Sequence, residues 1–116
     1  MGAPNRELLR DLLRKWAQGR LSERQVHDEA EKLWNSEVWA DVSEADDRSI
    51  AIEVLSQLDA MNHQLVIKDD IPAMGDFLNT PLGSSLQGWK SWKKYWASLN
   101  FDSRRRELAE NKFYIV

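Results

Sequence analysis

A chain of 116 residues, 42% hydrophobic and 30% charged, has room for one domain with a single sizeable core and is too apolar for a disordered chain. The absence of cysteine excludes disulfides, thiolate zinc sites and cysteine nucleophiles together, and suits a reducing, cytoplasmic setting. Net charge is −3 but unevenly laid out: Glu37 to Asp76 holds ten acids against two bases, and Gln87 onward holds seven bases against three acids. That layout favours a surface for basic partners over nucleic-acid binding.

The opening MGAPNRELLRDLL has no basic stretch leading into a continuous apolar run, so neither export nor a membrane span is expected. Asn5 is a good N-cap for a first helix running to Gln18 before Gly19, with Leu8, Leu9, Leu12, Leu13 and Trp16 as its apolar stripe. Ser22 and Gln25 fit a capping box for a second helix carrying Val26, Ala30, Leu33 and Trp34. With so short a connection, the two should form an antiparallel hairpin.

From Asn35 to Asp47 helical periodicity fails, and the segment reads as a loop whose Asp46-Asp47 pair caps the next helix. That helix, from Ile50 toward His63, is the organising element. At about 100° per residue, Ile50, Ala51, Val54, Leu55, Leu58, Met61 and Leu65 share one stripe, and Glu53, Ser56, Gln57, Asp59 and His63 point away.

Pro72 suits the first turn of a further helix capped by Asp69 or Asp70, which Thr80-Pro81 stops. The stretch LQGWKSWKKYWASL then places Trp89, Trp92, Trp96 and Leu99 on a narrow, heavy apolar face. A last short helix capped by Asp102 or Ser103 carries Arg104 and Leu108, and the apolar tail Phe113-Tyr114-Ile115-Val116 should dock on the body. The sum is an all-α, single-domain bundle of five to six helices over residues 1–116 with a short apolar C-terminal tail.

Single-strand nucleic-acid binding would draw on Trp89, Trp92 and Trp96 beside Lys90, Lys93, Lys94 and the Arg104 to Arg106 run. Helical geometry opposes it, because Lys90 and Lys94 lie away from the tryptophan face, so core packing is the better reading. Catalysis has two histidines to draw on. His27 with Glu31 one turn later is an ordinary surface pairing, and His63 falls at a helix end. Neither Asp46-Asp47 nor Asp69-Asp70 sits in a calcium-type loop, so no metal, cofactor or catalytic residue is expected. The functional expectation rests on the acidic middle: Glu37, Asp41, Glu44, Asp46, Asp47, Asp69 and Asp70, with Trp39 as an aromatic anchor, covering a cationic surface on another protein.

The chain also resembles small helical bacterial immunity proteins of contact-dependent growth inhibition and other polymorphic toxin loci, including the colicin D immunity-like group. The residues that carry the resemblance are Trp16-x-x-Gly19-x-Leu21-Ser22 with Val26 and Ala30-Glu31, then Glu53-Val54-Leu55-x-x-Leu58-Asp59. Asp70-Ile71-Pro72-Ala73 with Phe77-Leu78, and Trp92 with Trp96, complete it. It implies a protein without chemistry of its own that neutralises a cognate protein toxin, often a nuclease domain with a basic cleft; on the residues themselves, neither nucleic acid nor membrane is an expected partner. The alternative is a structural or regulatory adaptor that presents its aromatic helix.

Overall fold

The computed structural model describes residues 5–36, 38–39 and 41–116. Seven α-helices follow in order: α1 (Arg6–Ala17), α2 (Glu23–Asn35), α3 (Arg48–Asp59), α4 (Met61–Gln64), α5 (Ile71–Leu78), α6 (Ser85–Ala97) and α7 (Phe101–Leu108). A 3-10 turn, Lys68–Asp70, precedes α5, and no strand occurs among the described residues. None of these helices is long and apolar enough to cross a membrane.

The first hairpin forms as its local chemistry dictates. Asn5 Oδ1 accepts the Glu7 amide at 2.7 Å, and Ser22 and Gln25 exchange both bonds of a capping box. Gly19 takes φ +76° in the turn between the helices, where a side chain would be strained. Trp16 is fully buried and donates Nε1 to Glu23 Oε2 at 2.9 Å, tying α1 to the first turn of α2. At about 25 cal/mol per Å² over roughly 200 Å², its burial contributes on the order of 5 kcal/mol.

Helix α3 packs against α1, α2, α5 and α6, so it is the element around which the others are arranged. Ile50, Ala51, Val54, Leu55, Leu58, Met61 and Leu65 are all buried. The helix is nevertheless broken at Ala60 (φ −111°, ψ 19°), which splits the expected single helix into α3 and α4 and accounts for the higher helix count. Leu65 closes α4 in the left-handed region (φ 56°, ψ 43°), a conformation costing about 1–2 kcal/mol for a side-chain-bearing residue. The turn is held from outside, because Arg104 Nη1 donates to the Leu65 carbonyl at 2.9 Å.

Several caps differ from expectation. Asp46 Oδ1, not Asp47, accepts an amide at the start of α3, from Arg48 at 2.9 Å. Asp47 instead reaches across to α6, accepting from the Gly83 amide (3.0 Å) and the Ser85 hydroxyl (2.7 Å). Asp70 holds the N-cap position of α5 but makes no side-chain bond to it; its carboxylate turns back to accept the Ile67 amide at 2.9 Å. Helix α7 is capped by Asn100, whose Oδ1 accepts the Ser103 amide at 3.0 Å. The C-terminal tail docks in part: Tyr114 is buried with its hydroxyl on the Val66 carbonyl (2.6 Å), while Ile115 and Val116 stay exposed.

Candidate functional site

The fold spends most of the acidic middle on itself. Asp70 is 0% exposed and receives both Arg104 prongs, Nη2 at 2.6 Å and Nη1 at 2.8 Å, with the Tyr95 hydroxyl as a further donor. A carboxylate so enclosed cannot meet a partner, which corrects its expected place on the working surface. Asp46 is clasped by the Arg48 side chain, whose hydrogen bonds hold its carboxyl down to about 2. Asp47 is likewise lowered, first by the Ser85 hydroxyl and then by the Gly83 amide. Asp46 thus serves the start of α3, and Asp47 the junction of α3 with α6.

Asp69 is exposed on the 3-10 turn, outside the depression described below. Glu37 lies outside the described residues. Trp39 is half-buried against Trp34, with ring centroids 6.5 Å apart and Nε1 donating to the Trp34 carbonyl at 2.9 Å. It packs as a wall of the loop and does not project as a free anchor. The basic run is also divided: Arg104 is buried on Asp70 and Arg105 pairs with Asp102 at 2.7 Å.

What the fold does assemble is a furrow along the outer face of α3, between α6 and the loop that precedes α3. One end, about 440 Å³, is lined by Glu53, Gln57, Gln64, Trp89, Trp92, Lys93, Trp96 and Phe101. The other, about 190 Å³, is lined by Trp34, Asp41, Val42, Ser49, Ile52, Glu53, Ser56 and Trp89, so Glu53 and Trp89 join the two. The indoles are pinned by their polar edges: Trp89 Nε1 donates to Ser49 Oγ at 2.8 Å and Trp92 Nε1 to Glu53 Oε2 at 3.0 Å. Gln57 Nε2 adds a donor to the same Glu53 oxygen at 3.2 Å. Trp96 Nε1 is buried without an acceptor among the described residues, an unsatisfied donor costing about 1–3 kcal/mol.

Lys93 stands at the rim, with Nζ 2.8 and 2.7 Å from the two Glu44 oxygens and 5.7 Å from the Trp89 ring centroid. Asp41 and Glu53 thus line the furrow beside the half-buried Trp89, and the Glu44–Lys93 pair stands at its rim. Two other depressions have less to select with. The cleft between α5 and α6, about 420 Å³, is rimmed mainly by neutral groups such as Asn79, Ser84, Gln87 and Ser91. In the groove between α1 and α2, Lys15 is already held by Asp11 at 3.1 Å.

Of the expected contact residues, then, Asp41 lines the furrow and Glu44 reaches its rim through Lys93, while Asp46, Asp47, Asp69 and Asp70 lie elsewhere. Helical phase alone places Glu53 toward solvent and Trp89 and Trp96 in the core. The legible signal was the spacing of Trp89 and Lys93, one turn apart on the same helix, which permits a cation over a ring. Comparison with known families, with characterised proteins and with solved structures finds no match to this chain.

Proposed function

We propose that this chain is a stoichiometric, non-catalytic binding protein of the immunity type, which neutralises a cognate bacterial toxin by laying the furrow over a basic surface such as a nuclease cleft. The observation that carries the reading is that Asp41 and Glu53 line the furrow beside Trp89, with Glu44 at its rim on Lys93. Aromatic anchors contribute most of the energy at interfaces, and a surrounding carboxylate set speeds encounter with cationic partners and rejects anionic ones. An adaptor using the same indoles is the competing reading, and salt separates the two: the acidic furrow needs association that weakens as ionic strength rises, whereas an aromatic contact alone responds little.

The test is co-expression with the toxin domain encoded by the gene immediately upstream. Growth should be restored by the wild-type chain and lost with Asp41→Lys plus Glu44→Lys, two surface positions. Restoration by the charge-reversed chain would remove the furrow from the mechanism. An upstream metabolic gene, with no secreted toxin encoded there, would count against the immunity reading.

A further inference from the structure

Lys93 is placed differently from its neighbours on α6. All three are exposed, but Lys90 and Lys94 take part in no ion pair among the described residues, whereas Lys93 lies over the Trp89 face and pairs with both oxygens of Glu44. Nearby, Glu53 uses only Oε2, on Trp92 and Gln57; its Oε1 accepts no hydrogen bond from the described residues. An aromatic face, an ammonium over it that one carboxylate holds, and a second carboxylate lining the same depression constitute a cation-binding arrangement that the chain itself has filled.

We infer that Lys93 is an internal stand-in, and that the partner displaces it with an arginine side chain that stacks on Trp89 and takes over Glu44 and the open edge of Glu53. This rests on the reading of the furrow as the partner surface and adds which chemical group enters it. Arginine fits better than lysine for two reasons. Its planar guanidinium lies flat on an indole while its edge donates to carboxylates on either side, and it is less strongly hydrated than an ammonium. Lys93 meets Glu44 as a point charge and leaves Glu53 Oε1 unserved, so exchange trades a surface ion pair for a forked one. A surface pair and a cation over a ring are each modest, so the stand-in is displaceable.

The probe is a tetra-arginine peptide with blocked ends, titrated at low salt into the full chain and followed by the indole N–H resonances. Binding should move the Trp89 resonance and weaken with added salt, and tetra-lysine should bind more weakly. Lys93→Ala should tighten the peptide by about three- to tenfold, since the competitor is gone. Lys90→Ala removes the same charge from the same helix without touching Glu44 or Trp89, and should change affinity by less than about twofold. Equal effects of the two variants would reduce Lys93 to background charge and overturn the stand-in, while leaving a cationic partner at the furrow. Absence of salt-sensitive binding in the wild type and in Lys93→Ala alike would overturn both readings.

Discussion

Arg104 and Asp70 form a buried, two-pronged ion pair that ties α7 to the turn before α5, through Nη2 to Oδ1 at 2.6 Å and Nη1 to Oδ2 at 2.8 Å. Neither partner has access to water worth the name, and the remaining carboxylate capacity is taken by the Ile67 amide and the Tyr95 hydroxyl. Removing Arg104 alone strands a charge in the interior. Arg104→Leu should therefore cost about 3–5 kcal/mol, a large share of the 5–15 kcal/mol typical of a domain. Pairing it with Asp70→Asn should recover much of the loss, since the amide is uncharged, its oxygen can keep the Ile67 amide and its NH2 can donate to the Tyr95 oxygen. Tyr95→Phe, which removes one donor, should cost about 1–3 kcal/mol. Urea unfolding of the three variants decides the matter, and a loss below about 1 kcal/mol for Arg104→Leu would contradict it.

The same network shapes alkaline behaviour. Burial, then the hydrogen bond to Asp70, pushes the Tyr95 phenol up to about 12, and burial pushes Tyr114 up as well. These are the two tyrosines of the chain. Because the folded state holds both protons more tightly than the unfolded state does, their stabilisation is complete below the ordinary value near 10. It is lost as pH rises through the folded values. Ultraviolet titration of the native protein should show no phenolate near pH 10, and both should appear there in denaturant. A native phenolate near pH 10 with helical circular dichroism intact would refute this.

Helix α6 sits close enough to the end of α5 that one methyl group would be felt. A Cβ at Gly88 would fall 2.4 Å from Thr80 Oγ1 and 2.7 Å from its Cγ2. Thr80 cannot simply turn away, since it is buried and its hydroxyl donates to the Phe77 carbonyl at 2.7 Å. Gly→Ala inside a helix is normally worth up to about 1 kcal/mol in favour, but overpacking costs about 1–3 kcal/mol and should win. Gly88→Ala should lower the melting temperature, and adding Thr80→Ala should restore part of it. Additive effects in that double-mutant cycle would mean the helices are not in contact as described.

The fold was largely legible because its signals are local. The α3 stripe, the Asn5 cap and the Ser22–Gln25 box each follow from spacing within a few residues, and each is present. The site was legible only in part, because charge counted along the chain ignores where side chains pair in space. Asp70 and Arg104 look like members of opposite surface patches until the fold brings them together across 34 positions. Glu44 and Lys93 cancel one another across 49. Glu53 was placed on the polar side of α3, correctly, but nothing local shows that α6 would lay Trp92 against that side. The break at Ala60 is invisible in the sequence for a related reason: the apolar stripe runs through it unbroken, so the burial pattern hides the change of backbone direction.

Asp59, the last residue of α3, carries the remaining prediction. Partial burial is the main cause raising its carboxyl above the ordinary 3.8, and Glu31 across on α2 adds to it against the opposing effect of His27. Its charge also sits at a helix C-terminus, where the dipole disfavours an anion. A carboxyl raised in the folded state contributes stability that is full below pH 3.8 and is lost as pH rises through the folded value, so at neutral pH the ionised group is a liability. Asp59→Asn should stabilise the protein at pH 7 by up to about 1 kcal/mol, and the gain should shrink on acidification and vanish below about pH 4. Glu31→Gln separates the two causes, because it relieves the repulsion without altering the end of α3, and should give a smaller gain with the same pH profile. Thermal melts at several pH values test both; an Asp59→Asn gain that persists unchanged into acid would show that the carboxyl is not raised by its surroundings.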